Sequence, residues 1–382
     1  MTKKSWILFI VGAVVALGIL GALVWKYRAA GDGVTVGVVF PLTGDAASYG
    51  EKGREAIDFA VSVVTSRGGC GPHRVQVVYE DSRADPTTGV AAFRKLITAD
   101  GAAVVIGDIV SAVTLAVAPI AETNQVLLLS PTSSAPAITD AGQFIYRIWP
   151  SDLAEGRAIG EFALRRGYRR ASVLHLTNDY GVAIAQIFRR TFEGGGGQVV
   201  SVDGYQAENT DFRTALTRVQ TERPDVLYIA GYFADTAAIV RQARELGLQV
   251  QVLGTTAVED NQFLQLAGNS AEGMIYPLAT GFDASSQNPR VRDFVQSFRS
   301  RYNHDPGWVE AQAYDAFMLV CDAIGKIDGE VTGSRLKVAV DGMGPFDGVA
   351  GTVRFDANGD VVKPVVFRTV RDGRFTAIEP SK

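Results

Sequence analysis

Val34-Thr35-Val36-Gly37-Val38-Val39-Phe40-Pro41-Leu42-Thr43-Gly44-Asp45-Ala46-Ala47-Ser48-Tyr49-Gly50 decides how this chain is read. It opens as a β-branched, apolar run of the kind buried on both faces of a parallel sheet. The run breaks at Pro41, passes through a Gly/Ser loop and enters an amphipathic stretch from Glu51. A strand that ends in a loop before a helix delivers that loop to the carboxyl edge of an open α/β sheet, where such sheets bind ligands. The alternation then continues. Strands are expected at 34–39, 74–79, 103–106 and 126–130, with helices at 51–66, 86–99 and 112–122. Asp85-Pro86 suits an N-cap followed by proline at the first helical position. The pattern pauses around Tyr146-Arg147-Ile148-Trp149-Pro150-Ser151-Asp152 and restarts. Its second series has strands at 171–175, 198–203, 225–230, 250–253 and 273–276, and helices at 153–167, 180–193, 211–222, 234–246 and 260–267. Such alternation specifies parallel sheets with helices on both faces. Two longer helical patterns, 290–302 and 308–326, and a β-rich tail, 346–378, follow.

Length and composition set the outer bounds. At 382 residues the chain exceeds a usual single domain, so two are expected. Without residues 1–33, which hold Lys3, Lys4, Lys26, Arg28 and Asp32, 33 basic and 40 acidic residues remain, a net charge of −7. No basic stripe is present to neutralise phosphates, which argues against a nucleic-acid partner. Trp6 to Trp25 is an uncharged apolar run of about 30 Å at ~1.5 Å per residue, the thickness of a bilayer core. It reads as a signal anchor or a signal peptide. The charges of Lys26-Tyr27-Arg28 directly after it favour the anchor. Cys70 and Cys321 are the two cysteines. An exported protein could pair them, but their spacing does not require it.

The order of landmarks carries a resemblance. Asp81 and Asp85-Pro86 follow the second strand, and Val104-Val105-Ile106-Gly107-Asp108-Ile109-Val110-Ser111 ends the third. Pro131-Thr132-Ser133-Ser134-Ala135-Pro136 ends the fourth, and Asn178-Asp179-Tyr180-Gly181 comes after the fifth. With the opening segment, these resemble the branched-chain amino-acid (Leu/Ile/Val)-type periplasmic solute-binding proteins of ABC importers, from Val34 to the C-terminus. The resemblance implies a type I periplasmic binding fold, α/β, with two Rossmann-like lobes and a three-crossing hinge. Lobe 1 would hold 34–151 plus 281–363, and lobe 2 would hold 152–280 plus 364–382, after an N-terminal segment 1–33. Relatives often staple two ligand loops with a disulfide. The matching positions here are Ala84 and Val110, so that bridge is not expected.

Candidate ligand residues fall at strand ends. Ser111 precedes the helical run 112–122, and Thr132, Ser133 and Ser134 follow strand 126–130. A helix N-terminus offers unpaired N–H groups and the positive end of a dipole, which suits a carboxylate. A serine there could equally do no more than cap its helix. The resemblance implies that these two loops hold the α-carboxylate of the ligand, and that Tyr49, Tyr180 and Tyr232 form an aromatic clamp across the cleft. It also implies an acidic partner for a ligand ammonium at the position occupied here by Thr256. Threonine cannot neutralise a cation, so either Glu259 reaches in or the ligand has no ammonium. The residues alone favour the second option. Asp260 reads as the N-cap of the following helix.

Other chemistry is not signalled. Gly194-Gly195-Gly196-Gly197 lacks the Lys-Ser/Thr of a phosphate loop. His73, His175 and His304 are single and far apart, without metal spacing. Asp356-Ala357-Asn358-Gly359-Asp360 lacks the closing glutamate of a calcium loop and is expected to be a hairpin turn. With no Gly-x-Ser-x-Gly elbow and no nucleophile–base constellation, no enzyme activity, metal or cofactor is expected. The expected function is an extracytoplasmic solute-binding protein that is anchored by residues 6–25 and acts as a monomer. It would bind a small carboxylate-bearing ligand, either an amino acid or a related organic acid or amide, and serve an ABC permease with its ATPase subunits. The alternative is a ligand-binding sensor subunit that signals through a separate partner chain.

Overall fold

Apolar β-branched runs become the buried strands of two sheets. The computed structural model describes residues 33–207, 209–279 and 281–378. β1 (Gly33–Phe40), β2 (Arg74–Asp81), β3 (Val104–Gly107), β4 (Leu127–Ser130) and β5 (Ile145–Arg147) form a parallel sheet in the order β2-β1-β3-β4-β5. Val36, Val38, Val39 and Phe40 are wholly buried, as expected of a strand covered by helices on both faces. β6 (Arg170–Leu176), β7 (Gln198–Tyr205), β8 (Val226–Ala230), β9 (Gln251–Leu253) and β10 (Ile275–Leu278) form the parallel part of the second sheet, in the order β7-β6-β8-β9-β10. β13 (Val366–Arg371) and β14 (Arg374–Ala377) extend it as antiparallel strands beside β10.

The helices complete the layers. α1 (Ala47–Ser66), α2 (Pro86–Thr98) and α3 (Ser111–Asn124) connect the strands of the first sheet. The second sheet is served by α4 (Asp152–Arg165), α5 (Asp179–Gly194), α6 (Arg213–Glu222), α7 (Phe233–Glu245) and α8 (Asn261–Ala267). α9 (Pro289–Tyr302), α10 (Trp308–Gly325) and α11 (Gly333–Asp341) return to the first sheet. α9 sets Phe294 and Phe298 edge-on against Phe59 of α1, and α10 packs on α1 and β3. The chain therefore passes between the sheets three times: after β5, after β10, and after the hairpin of β11 (Phe346–Gly348) and β12 (Gly351–Val353). The α/β class and the three crossings agree with the sequence-based expectation.

Three local features differ from that expectation or extend it. The pause at 146–152 begins within β5, a strand too short for periodicity to reveal. The hairpin expected at 356–360 is a turn without flanking paired strands; the tight hairpin of this tail is β11–β12. Cys70 and Cys321 are joined by a disulfide, which ties the turn after α1 to α10. Among the described residues no helix is long and apolar enough to cross a membrane. The apolar run 6–25 lies outside the described residues.

Candidate functional site

Strand order decides where a ligand can sit. In the first sheet the order reverses between β1 and β3, so the loops that follow these strands diverge and leave a crevice. In the second sheet the same reversal falls between β6 and β8. Tyr49 and Ser111 follow β1 and β3, while Tyr180 and Tyr232 follow β6 and β8. The two crevices face each other and share one cavity. It is lined by Tyr49, Ser111, Thr132, Ser134 and Trp308 from one side, Glu155, Tyr180, Tyr232 and Thr256 from the other, and Trp149 at the crossing.

The carboxylate end is built from the β3 and β4 loops. Ser111 opens α3, and its Oγ accepts from Ser134 N at 3.1 Å and Ala135 N at 3.2 Å. Its hydroxyl proton remains to be donated toward the cavity. Thr132 also lines the cavity and donates to Ile109 O at 3.1 Å. Ser133 lies behind it, where its hydroxyl donates to Asp108 O at 2.9 Å and meets Thr114 Oγ1 at 2.8 Å. Ser133 thus braces the two loops against each other and does not line the cavity. Ser111→Asp would set a carboxylate against a bound anion at the helix N-terminus. We expect at least a tenfold loss of affinity by calorimetry, about 1.4 kcal/mol. Unchanged binding would place the ligand elsewhere.

The aromatic walls are held in register across the cleft. Tyr180 and Tyr232 stack with ring centroids 5.5 Å apart and an interplanar angle of 3°, and Tyr49 approaches Tyr232 edge-on at 6.2 Å. The Tyr49 hydroxyl donates to Ala257 O on the opposite side. Burial pushes the Tyr49 and Tyr180 phenols well above their ordinary pKa, so both remain protonated donors. Tyr49 can reach the cleft because Gly50 lets the chain fold onto itself: a Cβ there would lie 2.0 Å from Pro41 O. Asp81 fixes the same loop, accepting from Leu42 N at 2.9 Å and from Thr43 Oγ1 at 2.6 Å. Asp260 caps α8 through Gln262 N, as expected, but its other oxygen accepts from Ser48 Oγ and Lys52 Nζ across the cleft, at 2.9 and 2.7 Å. With Trp308 Nε1 donating to Glu259 O at 3.0 Å, these bonds hold the two sides closed.

The acidic group is not where the sequence leads one to expect it. Glu259 is paired with Arg368 and accepts from Tyr276 Oη at 2.8 Å, so its carboxylate is committed outside this cavity. Thr256 does line the cavity, but as a donor. Its N–H and hydroxyl both bind the Glu155 carboxylate at 2.8 Å. Glu155 is 3% exposed, and burial raises its pKa to about 7, with the Thr256 hydrogen bonds opposing the rise. One turn earlier, burial and the neighbouring Glu155 push Asp152 well above the carboxylate range. Sequence reasoning missed Glu155, Trp149 and Trp308. An acidic residue in the first turn of an amphipathic helix reads as dipole complementation, and nothing in the sequence around Glu155 separates the two roles.

Comparison with known proteins agrees with this architecture. Residues 33–374 match the family described as periplasmic binding protein. The Leucine-, isoleucine-, valine-, threonine-, and alanine-binding protein of Pseudomonas aeruginosa is 29% identical over 339 residues, which cover 88% of this chain and 89% of that one. A leucine-binding protein from Thermotoga maritima superposes with a TM-score of 0.84 at 29% identity, covering 90% of this chain and 97% of that one. A solute-binding protein of an ABC transporter from Rhodopseudomonas palustris, solved with 3,4-dihydroxybenzoic acid, gives a TM-score of 0.81 at 25% identity, with 91% and 96% covered. The match along nearly all of the folded chain, together with two facing switch-point crevices, places this protein in the periplasmic binding protein family, among the type I members of the branched-chain amino-acid group.

Proposed function

We propose that this protein captures a small amino acid outside the cytoplasm and delivers it to an ABC permease driven by its ATPase subunits. The observation that carries the ligand class is the Glu155 carboxylate, held by Thr256 in the wall opposite Ser111 and Ser134. A zwitterion needs both poles. The helix N-terminus of α3 with its two serine loops suits the carboxylate, and Glu155 suits the ammonium. This replaces the preference for a ligand without an amine, which rested on finding only Thr256 at the acidic position. Relatives named for amino acids support the reading, and the Cys70–Cys321 disulfide suits an oxidising compartment outside the cytoplasm. Two lobes, 34–151 plus 281–363 and 152–280 plus 364–382, would close over the ligand as a monomer anchored by residues 6–25.

The pH dependence of binding tests the ammonium site by its sign. With its carboxyl raised to about 7, Glu155 is mostly protonated at pH 6 and mostly ionised at pH 8. An ammonium pairs only with the ionised form. Amino-acid affinity should therefore fall about tenfold from pH 8 to pH 6, as expected for one linked proton. A carboxylate lacking an amine would favour the protonated form and bind more tightly as pH falls. Titration calorimetry at pH 6, 7 and 8 with an amino acid and its des-amino analogue separates the two. Stronger amino-acid binding at pH 6 than at pH 8 would reject the ammonium site.

A further inference from the structure

One loop of the second lobe touches both the ligand wall and the opposite lobe. At its start Thr256 holds Glu155, and at its end Asp260 caps α8 by accepting from Gln262 N at 2.7 Å. Between them, Ala257 O and Glu259 O accept from Tyr49 Oη and Trp308 Nε1 on the other side of the cleft. The second oxygen of Asp260 also works across the cleft. Ser48 Oγ donates to it at 2.9 Å and Lys52 Nζ at 2.7 Å. Ser48 and Lys52 are four residues apart on α1, so both project from one face of that helix.

Charge makes the Lys52 contact different from the others. The Asp260 side chain is 1% exposed, and a carboxylate so deeply buried needs a cation, which Lys52 supplies from the other lobe. Lys52 has a second acid nearby. Glu310 of its own lobe is 2% exposed and accepts from Gly307 N at 3.0 Å. Burial raises the Glu310 carboxyl, and the charge of Lys52 is the largest influence against that rise. One ammonium thus serves two buried carboxylates, one on each side of the cleft. If the lobes part, Lys52 leaves Asp260 behind but stays with Glu310, because α1 and α10 pack together within one lobe.

We infer that Lys52 is a two-position latch, which bonds Asp260 when the cleft is closed and returns to Glu310 when the cleft opens. This rests on closure of two lobes over a ligand, as proposed above, and is indifferent to whether that ligand carries an amine. The latch acts on release. The Lys52–Asp260 pair must part before the cleft opens, and the ammonium then has a carboxylate partner in either position, so opening strands no buried cation. The latch also couples closure to the site, because the loop that Lys52 grips is the one whose Thr256 holds Glu155.

The experiment follows release of leucine and of isocaproate, its des-amino analogue, by stopped flow, with Trp149 and Trp308 in the cavity wall as fluorescent reporters. The proteins are the native one, Lys52→Met, Asp260→Asn, the double variant and Glu310→Gln. Asparagine keeps the cap of α8, so Asp260→Asn removes the charge and not the helix start. Lys52→Met should speed release at least about tenfold, because closure then buries Asp260 without a cation. Asp260→Asn should speed it less, since Lys52 retains Glu310. The double variant should release more slowly than Lys52→Met, a recovery that misfolding could not produce. Glu310→Gln can still accept from Gly307 N but no longer competes for Lys52, so it should release more slowly than the native protein. The latch is overturned if the single effects simply multiply in the double variant, or if Glu310→Gln is no slower than native. Should isocaproate give the expected pattern while leucine fails to bind, the amino-acid reading fails and the latch stands. Should neither bind, carbodiimide coupling decides, since it joins an ammonium to a carboxylate in contact with it. Lys52 should then be recovered linked to Asp260 in some molecules and to Glu310 in others, and recovery of one link alone, or of neither, would overturn the latch.

Discussion

Glu155→Gln should weaken amino-acid binding by about 2–5 kcal/mol, the loss expected when one member of a desolvated charge pair is removed. In affinity this is roughly thirtyfold to several thousandfold. The amide keeps the shape of the side chain and can still accept from Thr256 N, so the wall of the cavity should survive. What disappears is the negative charge facing the ligand. The des-amino analogue, which has no cation to pair, should bind the Gln protein as well as the native one or better. Stability should move the other way. The folded-state pKa of Glu155 lies above the ordinary carboxylate value, so its contribution is complete at acidic pH and is lost as pH rises through about 7. At pH 8 the ligand-free Gln protein should thus melt no lower than the native protein. A fall in affinity with no fall in melting temperature isolates the charge. Equal losses for amino acid and analogue would show that Glu155 only supports the Thr256 loop.

Loss of the Cys70–Cys321 bond should produce the largest change in stability. The cysteines are 251 residues apart in sequence, and in the chain-entropy account a closed loop of that length contributes about 5 kcal/mol. With an unfolding entropy of about 2.1 cal/mol/K per residue, the melting temperature should drop by roughly 7 °C. Cys70→Ser, Cys321→Ser and the double variant should agree with one another, because the bridge needs both partners, and reductant should bring the native protein to the same value. Amino-acid affinity should hardly change. Cys321 lies thirteen residues beyond Trp308 on α10, about 20 Å along the helix at ~1.5 Å per residue. Calorimetric scans with and without reductant decide the matter. A native protein indifferent to reductant, with single variants that differ from each other, would mean that the two cysteines contribute by packing and not by a bond.

Much of this protein is settled locally. Alternation of apolar runs with 3.6-residue periodicity fixes a doubly layered α/β architecture, and Asp85-Pro86 starts α2 through a cap that bonds Thr88 N as its residue types dictate. Tyr49, Ser111, Thr132, Ser134, Tyr180, Tyr232 and Thr256 all follow strands, and strand ends in such sheets converge on one edge. Spacing puts each set at the edge of its own sheet, and the resemblance implies that the two edges face each other across one cavity.

Tertiary structure alone decides which charge faces that cavity. Glu259 sits nearest in sequence to the expected acidic position, yet Arg368, 109 residues away, holds it elsewhere. Glu155 reaches the cavity from a helix start 101 residues before Thr256, and there it looks like any acid in a first turn. Helix and strand propensities act over a few residues, whereas a buried charge depends on partners brought in from distant parts of the chain. Such partners leave no periodicity in the sequence, and only the folded packing selects them.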